Sequence, residues 1–117
     1  MRLLVCGGRD FNDKEIVFHL LNQLHTNDPV SILIHGDAAG ADSLGKKWAN
    51  ETGVKCRAFP ADWKTHGKKA GILRNLEMVK YGVDVIVAFP GGKGTANMIT
   101  LAKKNNITLI EVKPNGA

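Results

Sequence analysis

Four short segments of this chain combine glycine with side chains that hold phosphates or hydroxyls. "PGGKGT", Pro90 to Thr95, offers main-chain N–H groups with few side chains in the way. A helix beginning near Thr95 adds partial positive charge, so the stretch suits a phosphate. It is neither a Walker A loop nor GxGxxG; its plainer reading is a tight strand-to-helix turn. "GGRD", Gly7 to Asp10, offers Arg9 as a bidentate phosphate clamp, or else an exposed Arg paired with Asp10. In "HGDAAGADS", Gly36 and Gly40 permit a bent loop. Asp37 or Asp42 can accept from ribose hydroxyls there, while Asp42 or Ser43 can equally cap the next helix. In "GILRNLEM", Arg74 and Asn75 are polar residues inside an apolar helical spacing. Arg74 suits a charge clamp, or a solvent-facing side chain lying over its helix. Trp63 and His66 can stack on a base or merely cover the sheet edge. A Ser43 nucleophile with His35 or His66 lacks the GxSxG elbow.

The elements that position these segments follow from periodicity. Five apolar runs, Arg2–Cys6, Ser31–His35, Lys55–Phe59, Asp84–Phe89 and Thr108–Val112, alternate with four helical patterns. The first helix puts Ile16, Val17, Leu20, Leu21 and Leu24 on one face, with Asn12 and Glu15 as a capping box. The second follows Gly40, carries Leu44, Trp48 and Ala49, and stops at Gly53. The third groups Ile72, Leu73, Leu76 and Val79 and stops near Gly82. The fourth follows Gly94 and runs to about Asn105. Ala61–Gly71 is a polar loop longer than a connector needs.

Strict alternation predicts an α/β fold: a single Rossmann-like domain, residues 1–117, with a five-stranded parallel sheet in order 3-2-1-4-5 and helices on both faces. In that order the winding reverses between strands 1 and 4. Ligands bind beyond the carboxyl ends of the strands at such a switch point. Both glycine loops, after strand 1 and after strand 4, converge there.

Composition narrows the classes. The chain has 117 residues, enough for one domain with a core. Its 44% hydrophobic and 23% charged residues are those of a soluble globular protein. It has no membrane-length apolar run and no signal-peptide pattern, so a cytoplasmic location is expected. Cys6 and Cys56 read as reduced buried thiols, and no CxxC or HExxH spacing predicts a metal. No cofactor is called for. The +5 charge suits an anionic partner, but Lys46 and Lys47, Lys68 and Lys69, Lys103 and Lys104 are scattered. That argues against a dedicated nucleic-acid surface. Self-association stays open.

In this order, "VCGGRDF", "HGDAAGADSLGKKWA", "RNLEMV" and "FPGGKGTANM" resemble the YspA-type, cpYpsA-related branch of the SLOG superfamily. The resemblance covers nearly the whole chain. That Rossmann-like group includes LONELY GUY phosphoribohydrolases, the DNA-processing protein A family and sensor domains for nucleotide-derived signals. The resemblance implies a nucleotide or ADP-ribose-like ligand. It implies contacts from Gly7, Gly8, Arg9, Gly36, Asp37, Gly40, Ala41, Asp42, Arg74, Asn75, Gly91, Gly92, Gly94 and Thr95, beside Pro90 of the same loop. The phosphoribohydrolases carry PGGxGTxxE with a catalytic Glu, and here that position is Met98. A thioether does no acid–base work, so the reading leans to a binding or sensing module. The alternatives are a hydrolase using Asp37, Asp42 or Glu77, and a nucleic-acid binder.

Overall fold

A computed structural model describes residues 1–114. Strands β1 (Arg2–Cys6), β2 (Ile32–His35), β3 (Lys55–Ala58), β4 (Val85–Ala88) and β5 (Thr108–Glu111) form one sheet. Its order is β3-β2-β1-β4-β5, and every neighbouring pair is parallel. The predicted sheet and its switch point between β1 and β4 are therefore present. The strands end within about a residue of the apolar runs.

Helices α1 (Lys14–Asn27), α2 (Ala41–Thr52), α4 (Ala70–Tyr81) and α5 (Lys93–Lys104) cover the sheet, with a short α3 (Trp63–His66) in the long loop. Alternate strand residues face opposite layers. Leu3, Val5, Leu33 and Val87 pack with Val17, Leu21, Trp48 and Ala49 of α1 and α2. Leu4, Ile34 and Ile86 pack with Met78, Met98, Leu101 and Ala102 of α4 and α5. Central strands buried on both faces explain why their sequences are continuous apolar runs. The Trp48 indole donates to Asn22 Oδ1 at 2.8 Å, tying α2 to α1.

Four local expectations change. The cap of α1 is Asp13, whose carboxylate accepts the Ile16 N–H, and not Asn12 with Glu15. The loop at 61–71 is structured: Asp62 caps α3 through the Thr65 N–H, and a 3-10 turn, Gly67–Lys69, leads into α4. Helix α5 begins at Lys93, two residues early, with Gly92 as its cap. Helix α4 is rotated from its expected face. Ile72 and Leu76 are 49% and 36% exposed, while Asn75 is 4% exposed. The rotation seats the polar pair Arg74–Asn75 against the loop after β2 and the start of α5, where their hydrogen bonds are made.

Candidate functional site

The two glycine loops meet as one unit. The Gly8 N–H donates to Pro90 O at 2.8 Å, and Gly8 O accepts from Phe11 and Ala41 N–H at 3.2 Å each. Gly40, the cap of α2, has φ of 75°, a left-handed backbone, and a Cβ there would run into the Gly8 and Arg9 carbonyls. A Cβ on Gly91 would lie 2.6 Å from Gly8 N. Gly7, Gly40, Ala41 and Gly91 thus form the joint between the β1, β2 and β4 ends. Ala41 is fully buried.

Beside this joint, at the carboxyl ends of β1 and β4, lies a crevice of about 320 Å3. Gly8, Arg9, Asp42, Arg74, Asn75, Gly92, Gly94 and Thr95 all line it, so the structure brings most of the expected residues together. Gly36 and Asp37 line an adjoining cavity instead, and Pro90 and Gly91 face a separate one behind the β4 loop. An added Cβ at Gly92 or Gly94 meets nothing within 4 Å, unlike one at Gly91. The loop's glycines have therefore divided duties: Gly91 lets backbones touch, and Gly92 and Gly94 leave space.

Helix α5 points its N-terminus at that space. Ala96 N–H is the first to reach a helical acceptor, Gly92 O at 3.0 Å, so the N–H groups of Lys93, Gly94 and Thr95 precede the helix's own ladder. Opposite stands Arg74. Its Nε donates to Asn75 Oδ1 at 3.0 Å and its Nη1 to Gly36 O at 2.6 Å. The Asn75 amide in turn donates to Gly94 O at 3.1 Å and Asn97 Oδ1 at 2.9 Å. One network thus fixes the guanidinium, the β2 loop and the first turn of α5.

A family model described as the YspA, cpYpsA-related SLOG family matches residues 1–66. The Gene 61 protein of Mycobacterium phage D29 is 40% identical to this chain, over 93% of the chain and 94% of that protein. The chain belongs to the YspA, cpYpsA-related SLOG family. Membership suggests a Rossmann-like, nucleotide-related function. The match spans the β1 and β2 loops, while Arg74, Asn75 and the Pro90–Thr95 loop of this SLOG protein lie beyond it.

Electrostatics separates Asp37 of the SLOG chain's β2 loop from Asp42 in the first turn of α2. Asp42 is buried, and its Oδ2 accepts from Gly36 N–H at 2.9 Å and Ala38 N–H at 3.3 Å. It neither caps α2 in the usual way nor keeps that oxygen free. Burial pushes its carboxyl up to about 6, against the opposing pull of those N–H groups and of Arg74. Asp37 is exposed. His35 is buried, and its Nδ1 accepts the Asp37 N–H at 2.9 Å; burial lowers its pKa, which keeps the ring neutral.

Arg9 is not paired with Asp10; its guanidinium stands 5.8 Å from the Trp63 ring centre at the crevice rim. Trp63 and Lys93 also line the crevice, as do Cys6, Gly71 and Met78, which sequence reading did not place there. Burial raises the Cys6 thiol to about 12, so it stays protonated. Gly71 and Met78 share Asn75's side of α4, a signal available only once Asn75 is taken as inward-facing. Asn97 had no such signal: its partner is 22 residues away.

Proposed function

We propose that this protein is a small binding or sensing module that holds a nucleotide-derived anion in the crevice. The observation that carries this reading is Arg74. It is half-buried, held by neutral acceptors, and among the described residues no carboxylate lies within 4 Å of it. Burial lowers its pKa, the mark of a cation short of solvent. A phosphate between Arg74 and the α5 N-terminus supplies the missing negative charge and accepts the open N–H groups.

Binding without N-glycosidic hydrolysis fits the same geometry. Met98 is 0% exposed and belongs to the core under α5, so no acid–base group stands at that position. Glu77 is exposed and does not line the crevice. One observation favours the enzyme reading: Asp42 lines the crevice with a carboxyl raised to about 6. Its engaged Oδ2 weighs against it.

The test is mass spectrometry of small molecules released from protein purified under native conditions. The expected result is a phosphate-bearing nucleoside derivative, recovered with wild type and lost with Arg74→Ala. Recovery of the same molecules with both proteins contradicts the assignment.

A further inference from the structure

The crevice has a neighbour. A second cavity, of about 390 Å3, lies on the other side of Arg9, Ala38, Trp63 and Arg74, which border both. Its remaining wall is the β2 loop around Asp37 and the chain at Pro60 and Ala61. Each space is at the small end of the range for ligand sites. Their common wall makes them two parts of one binding surface.

We infer that this second cavity is a subsite for an uncharged, hydroxyl-bearing ring, a ribose attached to the phosphate held in the crevice, and that Asp37 is its hydroxyl acceptor. The inference rests on the anion-binding reading and adds which part of the ligand goes where. The two cavities share the cations Arg9 and Arg74 and differ in what else lines them. The crevice adds Lys93, a helix N-terminus and the engaged Asp42. The second cavity has Asp37, whose carboxylate meets no Lys, Arg or His within 4 Å and accepts no hydrogen bond among the described residues. Asp42 is the contrast, since its Oδ2 already holds two loop N–H groups. An unengaged carboxylate accepts from hydroxyls and makes this cavity less favourable to a phosphate than the crevice, which has Lys93 and the α5 N-terminus besides the shared arginines, so the two cavities sort the two ends of a sugar phosphate. The position is also fixed: Asp37 has φ of 57°, and its N–H is held by His35 Nδ1. Its backbone therefore does not need the ligand to find its place.

The left-handed backbone makes Asp37→Asn the informative variant, because Asn tolerates that region as Asp does. Calorimetric titrations of inorganic phosphate, ribose 5-phosphate and 2-deoxyribose 5-phosphate into the full chain test the inference, with thermal melts alongside. Wild type is expected to bind ribose 5-phosphate at least about tenfold more tightly than inorganic phosphate, with the deoxy sugar in between. Asp37→Asn is expected to melt with wild type, to lose about tenfold for ribose 5-phosphate and to keep its affinity for phosphate. Wild type that binds phosphate but gains nothing from the ribose, or does not distinguish the two sugars, overturns the subsite and spares the crevice. Equal loss of both ligands in Asp37→Asn also overturns it. Failure of wild type to bind any of the three overturns both readings together.

Discussion

The Arg74 guanidinium lies directly over Gly36: its Nη1 donates to Gly36 O at 2.6 Å, and a Cβ on Gly36 would come within 2.7 Å of Cζ. Gly36 is glycine because an arginine from a helix 38 residues away crosses it. Gly36→Ala should therefore act on binding through Arg74. The obstructing atoms are the far end of a flexible side chain, so the guanidinium moves and the fold keeps its stability to within about 1 kcal/mol. Binding should weaken as it does in Arg74→Ala, by about 1.5–3 kcal/mol for a charged donor. The double variant should be no worse than Arg74→Ala alone. Titrations of the three variants check this, and additive losses contradict it.

Asn75 is buried and makes three side-chain hydrogen bonds, two of which join α4 to α5. Asn75→Ala strands the Gly94 carbonyl, the Asn97 amide and the Arg74 Nε at once. The expected loss of stability is about 1–3 kcal/mol, from buried groups left without partners. Urea unfolding measures it. A loss within error of zero means that water or neighbours replace the amide.

The fold was legible in the sequence because its signals are local. Val85–Val87 is β-branched and apolar, Gly53 and Gly82 stop helices, and strand–helix alternation dictates a parallel sheet. The switch point followed from strand order alone, and with it the pairing of Gly8 with the Pro90 loop. The rotation of α4 was not legible. Apolar spacing made Ile72 and Leu76 inward-facing, but the network of Arg74 and Asn75 sets the helix's orientation, and its partners Gly36, Gly94 and Asn97 are distant in sequence. The division among Gly91, Gly92 and Gly94 was hidden for the same reason: which glycine faces a backbone and which faces space depends on the docked β1 loop.

The Asp42 carboxyl gives the protein a pH signature. A carboxyl raised from its ordinary 3.8 to about 6 by burial holds its proton in the folded state where the unfolded chain has lost it. Its contribution to stability is fully present at low pH and falls away between about pH 4 and about pH 6. His35 acts in the opposite sense. Burial lowers its pKa below the ordinary 6.5, so its contribution is present above that value and is lost as the pH falls. Asp42→Asn keeps an acceptor for the Gly36 and Ala38 N–H groups and removes only the first effect. Between about pH 4 and about pH 7, wild type should lose stability relative to Asp42→Asn by on the order of 3 kcal/mol. Denaturant unfolding across that range measures the difference, and a constant offset contradicts it.

Met98 predicts the catalytic outcome. It lies fully buried in the same core cluster as Leu4, Ile34 and Ile86. Overnight incubation with nucleoside monophosphates should release no free base by chromatography. Met98→Glu should not create the activity; it buries a carboxylate and should destabilise the fold by several kcal/mol. Base release by wild type that disappears in Asp42→Asn contradicts the binding reading in favour of an enzyme.

The anion-binding reading puts a phosphate in the space before α5. Gly94 lines the crevice, sits in the first turn of α5, and has nothing within 4 Å of an added Cβ. Valine is no worse a helix residue than glycine, so Gly94→Val should keep its stability to within about 1 kcal/mol. Its methyl groups would stand where the oxygens of the proposed phosphate would sit. The direct measurement is calorimetric titration of ADP-ribose, or of the nucleotide that copurifies, into wild type and Gly94→Val, with melting curves of both. Equal melting, binding by wild type and none by Gly94→Val are expected. Equal melting with equal binding would contradict the anion-binding reading and leave the glycine loop as only a turn.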